Sequence, residues 1–128
     1  MGLNKSFLVV DDSAMMRQLI LMTLKKMGCT SVVDASNGRV ALEKLSANRI
    51  DIVLTDIDMP EMNGLEFIER ARTQYSGLPI VVVSAHGDEA TRDKGLMLGA
   101  NDYLTKPLSG SKLSEVLERL FPDLTFTN

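Results

Sequence analysis

The sequence has 128 residues and a mass of 14.1 kDa, which is the size of one ordinary domain. Apolar residues make up 45% and charged residues 24%, as in globular proteins, and the net charge of −3 argues against a nucleic-acid partner. The one cysteine, Cys29, excludes an internal disulfide, and no apolar stretch approaches the roughly 18 residues of a membrane span. We therefore predict a single cytoplasmic domain over residues 1–128, with 122–128 as a short C-terminal tail and no membrane partner.

Short apolar segments alternate with helical patterns along the chain. In chain order we predict a strand at 7–10, a helix from its N-cap Ser13 to Met27, a strand at 31–35, a helix opened by Asn37, a strand at 52–55, a helix at 65–73, a strand at 79–84, a helix at 89–98, a strand at 102–104 and a helix at 111–121. The clearest strands are continuously apolar, as strands covered on both faces are. The inward face of the first helix is predicted to consist of Met16, Leu19, Ile20, Thr23, Leu24 and Met27.

This alternation predicts an α/β fold of the (βα)5 type. Five strands, each followed by a helix, form a doubly wound parallel five-stranded sheet with helices on both faces. Ligands of such sheets bind outside the carboxyl ends of the strands. The residues that follow each strand are therefore the candidates for a functional site.

Charged and polar residues follow four of the five predicted strands. They are Asp11, Asp12, Asp56, Asp58, Ser84 and Lys106. Clustered carboxylates repel one another unless a cation shares the site, and Mg²⁺ suits a few carboxylates together with water and phosphate oxygens. A metal ion, a lysine and a hydroxyl would together hold the oxygens of a phosphoryl group while a carboxylate attacks in line. The pattern indicates phosphoryl chemistry with Mg²⁺ as cofactor.

The chain resembles the receiver domain of two-component response regulators, especially the single-domain chemotaxis-type regulators. The matching segments are LVVDDS, DIDMPEMNGL, VVSA and GANDYLTKPL, in that order, and they extend over nearly the whole chain. The resemblance implies one receiver domain with a flavodoxin-like sheet of strand order 2-1-3-4-5. It also implies a phosphodonor, which is a histidine kinase or a phosphotransfer protein.

The resemblance also implies a metal site and a phosphoacceptor. Asp56 would accept the phosphoryl group from a phosphohistidine. Asp12 would bind Mg²⁺ directly and Asp11 would assist through water, while Asp56 and the backbone carbonyl of Asp58 would complete the protein ligands.

Three further residues would respond to phosphorylation by the same resemblance. Ser84 and Lys106 would each bind a phosphoryl oxygen, and the rotamer of Tyr103 would differ between the two states. The peptide bond between Lys106 and Pro107 would be cis.

The sequence leaves the role of two groups of residues open. His86 and the carboxylate of Asp58 occupy positions that tune dephosphorylation in this family, but either side chain could simply be solvated. Met15, Leu21 and Met22 fall outside the inward face of the first helix, where they either dock the phosphodonor or are incidentally exposed.

The predicted function is a phosphorylation-dependent switch in a phosphorelay, with chemotaxis as the pathway that similarity favours. The protein would catalyse only its own phosphorylation and dephosphorylation. Phosphorylation would change the face formed by helix 4, strand 5 and helix 5, where Gly95 weakens helix 4, and so control an unknown protein partner. The expected state is a monomer, with a phosphorylation-dependent dimer as the alternative.

The competing function is an aspartate-nucleophile phosphatase of the haloacid dehalogenase type. Those enzymes carry their D-x-D on the first strand, whereas here it follows the third strand and the acidic pair lies upstream. No segment of the sequence resembles a cap that would enclose a substrate. A passive docking domain is a third possibility, but it would lack a site residue, and none is missing.

Overall fold

Five short segments rich in apolar residues form the central sheet of the computed structural model, which describes residues 5–122. The strands are β1 (Ser6–Val10), β2 (Ser31–Ala35), β3 (Ile52–Thr55), β4 (Ile80–Ser84) and β5 (Asp102–Thr105). All neighbouring pairs are parallel, and the order is β2-β1-β3-β4-β5. The predicted fold class and strand order are confirmed. Residues 123–128, which hold nearly all of the predicted tail, lie outside the described part of the chain.

Five helices connect the strands. They are α1 (Ala14–Lys26), α2 (Gly38–Ala47), α3 (Gly64–Gln74), α4 (Glu89–Leu98) and α5 (Gly110–Leu120). Each begins at a polar N-cap whose side chain accepts a hydrogen bond from a backbone N–H of the first turn; the caps are Ser13, Asn37, Asn63, Asp88 and Ser109. None of these described helices is long and apolar enough to cross a membrane.

The sheet has a hydrophobic core on each face, because neighbouring residues of a strand point to opposite sides. Phe7 and Val9 pack with the apolar faces of α1 and α5, whereas Leu8 and Val10 pack with those of α2 and α3. The central strands β3 and β4 are buried along their full length. This arrangement buries the sheet on both faces, so that the ends of its strands are held by the core.

The prediction that Leu19 belongs to the inward face of α1 is wrong. Its side chain is 49% exposed, while Ile20 and Leu24 are buried. The core-facing stripe of a helix is narrow where only one sheet and one neighbouring helix cover it, and Leu19 lies one residue outside the row formed by Ile20, Leu24 and Met27. Of the three residues predicted to lie outside this face, Met15 and Met22 are exposed, whereas Leu21 is half-buried.

Cys29, the free cysteine just before β2, is a core residue. It is 1% exposed and belongs to the core that α1 and α5 cover. Burial raises the pKa of the thiol to about 11, so the residue is an uncharged core side chain at neutral pH.

Candidate functional site

The acidic cluster lies where β1 and β3 end side by side. Val10 pairs with Thr55 in the parallel register, so the next residues, Asp11 and Asp56, meet at the carboxyl edge of the sheet. The backbone N–H of Asp56 donates to the Val10 carbonyl at 2.8 Å. Carboxylate oxygens of Asp11, Asp12 and Asp56 lie within 4.8 Å of one another. Asp11 and Asp56 are buried, and Asp12 is exposed.

Lys106 follows β5 and lies against the two buried carboxylates. Its Nζ donates to Oδ2 of Asp11 at 2.7 Å and to Oδ2 of Asp56 at 2.9 Å. Burial lowers the pKa of the ammonium group, but the hydrogen bonds to Asp11 and Asp56 outweigh it and raise the pKa above 10.5. Lys106 is therefore fully charged at neutral pH and compensates one of the three negative charges.

The donor set of the cluster fits a hard divalent cation. Three carboxylates and one ammonium group carry a net charge of minus two, which one divalent ion balances. Asp12 makes no hydrogen bond or ion pair with another residue of the described range 5–122, so its carboxylate is available as a ligand. Oxygen donors in a partly open site are what Mg²⁺ selects, because it keeps several of its waters.

Ser84 and Tyr103 connect the strand ends to the loop between β4 and α4. Ser84 is fully buried at the end of β4, and its Oγ accepts a hydrogen bond from the backbone N–H of His86 at 3.1 Å. The Tyr103 hydroxyl donates to the carbonyl oxygen of His86 at 2.6 Å. Burial raises the pKa of Tyr103, so this hydroxyl keeps its proton. The aromatic ring is 7% exposed and lies against α4.

Comparison with known proteins identifies the family. Residues 7–118 match the response regulator receiver domain. Chemotaxis protein CheY1 of Helicobacter pylori is 40% identical over 114 residues, which are 87% of this chain and 92% of the relative. Chemotaxis protein CheY of Thermotoga maritima is 36% identical over 118 residues, or 92% of this chain and 98% of the relative. The chain belongs to the response regulator receiver family.

A solved structure shares the fold of this receiver domain. Chemotaxis protein CheY4 of Vibrio cholerae is 34% identical, with a TM-score of 0.84 over 91% of this chain and 98% of that chain. The family predicted from the four sequence motifs is therefore confirmed, and with it the general function of the family in two-component phosphorelay signalling. CheY-like receiver domains receive signals from histidine kinases and act on output partners.

The loop after β3 holds the receiver domain's D-x-D in place. Asn63 caps α3 by accepting from the backbone N–H of Glu66, and Gly64 is the first helical residue, one position before the predicted start at residue 65. The N–H of Gly64 donates to the carbonyl of Ile57 at 2.8 Å. A Cβ at Gly64 would lie 2.0 Å from the carbonyl oxygen of Asp56. The start of α3 is thus packed directly on the backbone of the predicted phosphoacceptor.

The same loop is tied to the start of α2 by contacts that the sequence did not indicate. Glu61 has a left-handed backbone, with φ of 65°, which is uncommon outside glycine. Its carboxylate accepts hydrogen bonds from Asn37 at 3.2 Å and from Arg39 at 3.3 Å. The N–H of Gly38 donates to the carbonyl of Met62 at 3.0 Å. These bonds hold a sparsely populated backbone conformation next to the acidic cluster.

Asp58 and His86 meet across the opening of the site. Oδ2 of Asp58 and Nε2 of His86 form a close ion pair between the β3–α3 and β4–α4 loops. The hydrogen bond to Asp58 and the negative charge of that carboxylate raise the pKa of His86 above 6.5. The two residues are 28 positions apart in different loops, and nothing in the sequence indicates that they pair.

The peptide bond between Lys106 and Pro107 is cis, the isomer that the resemblance implies. Of the predicted site residues, the structure brings Asp11, Asp56 and Lys106 into direct contact, and Asp12 completes the acidic cluster. Ser84 and Tyr103 contact the β4–α4 loop rather than the carboxylates.

Proposed function

We propose that this receiver domain accepts a phosphoryl group on Asp56 in a Mg²⁺-dependent reaction, and that it catalyses only its own phosphorylation and dephosphorylation. The observation that carries the proposal is the buried carboxylate of Asp56, which is bonded to Lys106 and lies within 4.8 Å of the carboxylates of Asp11 and Asp12. A nucleophile, a fixed cation and a set of metal ligands therefore converge at the carboxyl edge of the sheet.

In the transfer step, a carboxylate oxygen of Asp56 attacks the phosphorus of a phosphohistidine. The new O–P bond forms as the P–N bond breaks, and the electron pair of the P–N bond returns to the imidazole of the donor. Oδ1 of Asp56 accepts from the N–H of Ile57 at 2.7 Å, and Oδ2 accepts from Lys106. Whichever oxygen attacks, the other is held by its hydrogen bond, and this orients the carboxylate. When bound, Mg²⁺ would offset the negative charge of the phosphoryl oxygens, with Asp11, Asp12, Asp56 and the backbone carbonyl of Asp58 as its protein ligands.

Lys106 and Ser84 would then bind the phosphoryl group. The Lys106 ammonium lies 2.9 Å from the Asp56 oxygen and can pair with a phosphoryl oxygen with little movement. The Ser84 hydroxyl can donate to another, since in its bond with the N–H of His86 it acts only as an acceptor. Hydrolysis reverses the modification: water attacks phosphorus, the O–P bond to Asp56 breaks, and inorganic phosphate leaves.

The switch would pass from Ser84 to β5 through two hydrogen bonds. If Ser84 moves toward the phosphoryl group, the backbone of His86 would move with it, because the His86 N–H donates to the Ser84 hydroxyl. The carbonyl of His86 in turn accepts the hydrogen bond from the Tyr103 hydroxyl. Tyr103 would respond with a change of rotamer, and its ring lies against Gly95 of α4, where a Cβ would be 3.8 Å away. The α4–β5–α5 face would thereby change its affinity for an output partner.

The phosphodonor would dock on α1 beside the site. The exposed side chains of Leu19 and Met22 line a groove of about 240 Å³ between α1 and the segment after Lys106, which includes Pro107, and Met15 is a further exposed apolar side chain of α1. Apolar surface of this kind marks an interaction site more often than a solvated helix face does. A histidine kinase or phosphotransfer protein bound there would present its phosphohistidine to Asp56. The named relatives are chemotaxis proteins, and we propose the same pathway for this chain.

The proposal is tested by incubating the protein with acetyl phosphate and Mg²⁺ and measuring its intact mass. We expect a gain of one phosphoryl group with Mg²⁺ and a loss of that gain when the metal is removed with EDTA, because the acidic cluster alone would repel the anionic donor. No gain with Mg²⁺, or an equal gain in EDTA, would refute the proposal. Sustained turnover of p-nitrophenyl phosphate would instead support the phosphatase.

A second prediction concerns the ion pair between Asp58 and His86. We expect His86→Ala to shorten the lifetime of the phosphorylated state, because without the pair the β3–α3 and β4–α4 loops separate more easily and admit water to Asp56. The change should be about two- to fivefold, since an exposed ion pair contributes little. Dephosphorylation is followed by intact mass after the donor is removed.

The double variant Asp58→Ala/His86→Ala is the control for this prediction. If the two side chains act as a pair, the double variant loses phosphate no faster than the faster single variant. Additive effects would show that each residue acts alone.

A further inference from the structure

Arg17 reaches back from α1 to the turn that carries the acidic pair. Its Nη1 donates to the backbone carbonyl of Asp11 at 2.7 Å, and its Nε donates to Oδ2 of Asp34 at 2.9 Å. The Arg17 side chain is only 20% exposed, whereas its partner Asp34 is 46% exposed. The guanidinium thus connects β2, α1 and the end of β1 around one backbone carbonyl.

That carbonyl belongs to the peptide unit that joins Asp11 to Asp12. A peptide unit is planar, so a bond that fixes the Asp11 carbonyl also fixes the position of the Asp12 Cα. Asp11 itself is held at three other points: its N–H donates to Ala35, Oδ1 accepts from the N–H of Ser13 at 2.9 Å, and Oδ2 accepts from Lys106. Asp12 has no such contacts of its own within residues 5–122. Its placement therefore depends on the two peptide units that flank it: Arg17 holds the first through the Asp11 carbonyl, and Oδ1 of Asp11 holds the second through the N–H of Ser13.

We propose that Arg17 is a positioning residue, which orders the Asp11–Asp12 peptide unit so that the Asp12 carboxylate is directed into the metal site, and that Asp34 holds the guanidinium in place. The inference rests on the proposed Mg²⁺ site. Outer contacts of this kind restrict the rotation of a metal ligand, and their loss typically weakens metal binding. The ion pair with Asp34 also offsets the positive charge of Arg17 next to a cation-binding site.

Replacing Arg17 by glutamine separates two effects that have opposite signs. If Arg17 mattered only through its charge, removing a cation near the cluster would strengthen Mg²⁺ binding. If Arg17 positions Asp12, the loss of the bond to the Asp11 carbonyl weakens Mg²⁺ binding. The direction of the change therefore decides between electrostatic repulsion and positioning.

We expect Arg17→Gln to raise the dissociation constant for Mg²⁺ about tenfold, measured by calorimetric titration of the unphosphorylated protein. Arg17→Lys keeps the charge but not the two-nitrogen fork, so its affinity should lie between those of the unsubstituted protein and Arg17→Gln. The matched control is Arg70→Gln, which removes the same charge from an exposed ion pair with Glu66 in α3 and should leave the dissociation constant unchanged.

A second readout requires no metal. In metal-free protein, the backbone N–H of Ser13 donates to Oδ1 of Asp11 across the Asp11–Asp12 peptide unit, so its hydrogen exchange should become faster in Arg17→Gln and not in Arg70→Gln. Unchanged or tighter Mg²⁺ binding in Arg17→Gln would overturn the inference. If Arg17→Gln does not fold, Arg17→Lys decides instead: an affinity equal to that of the unsubstituted protein would overturn the inference. If the unsubstituted protein binds no Mg²⁺, both the inference and the proposed function fall. If it binds and Arg17→Gln binds equally well, only the inference falls.

Discussion

Asp56→Asn is expected to abolish phosphoryl uptake from acetyl phosphate in the presence of Mg²⁺. An amide lacks the anionic oxygen that attacks phosphorus, and the substitution would also leave Lys106 with one carboxylate partner instead of two. Uptake is measured by intact mass at several times after donor addition.

The matched control is Asp58→Asn, the same substitution two residues along the same loop. The Asp58 side chain is 70% exposed, and the group proposed to bind the metal is its backbone carbonyl, which the substitution keeps. This variant should therefore take up one phosphoryl group at close to the normal initial rate. Uptake by Asp56→Asn, or its complete loss in Asp58→Asn, would contradict the assigned roles. The second result would favour the phosphatase, in which the second aspartate is a general acid.

The fold was predictable because local and long-range signals agree. Continuously apolar strands, the caps Ser13 and Asn37, and helical spacing between them are consistent only with a parallel sheet covered on both faces. The boundaries of α4 match the prediction, because Asp88 caps it and Gly99 ends it with a φ of 126°. The positions of Asp11 and Asp56 follow from the sheet, since residues after neighbouring parallel strands must meet.

The rest of the site depends on contacts between distant segments, for which one sequence contains no local pattern. Arg17 looked like an ordinary polar residue of α1, although it is bonded to both Asp11 and Asp34. Leu19 has the spacing of a core residue but lies beyond the edge of the surface that covers α1. The bridge between Asp58 and His86 requires the distance between two loops, which only the folded chain fixes.

The start of α3 supplies the largest expected effect on stability. Gly64→Ala should lower the free energy of unfolding by about 3 kcal/mol, at the upper end of the cost of overpacking. The added Cβ would lie 2.0 Å from the carbonyl oxygen of Asp56 and 2.8 Å from the Cα of Ile57. Both are backbone atoms, so no rotation of a side chain can relieve the overlap, and the loop after β3 has to move. Urea denaturation of the variant and the unsubstituted protein gives the difference directly.

Gly77→Ala is the control, because a Cβ at that position meets no atom within 4 Å. Its free energy of unfolding should stay the same or rise by up to about 1 kcal/mol, through the smaller entropy of the unfolded chain. Equal free energies of unfolding for the two variants would contradict this prediction, because the β3–α3 loop would then move aside at no measurable cost. A destabilised Gly64→Ala should also take up phosphate more slowly while still folded, because the displaced carbonyl belongs to Asp56 itself. Slower uptake together with lower stability would link the packing of α3 on β3 to the geometry of the phosphoacceptor.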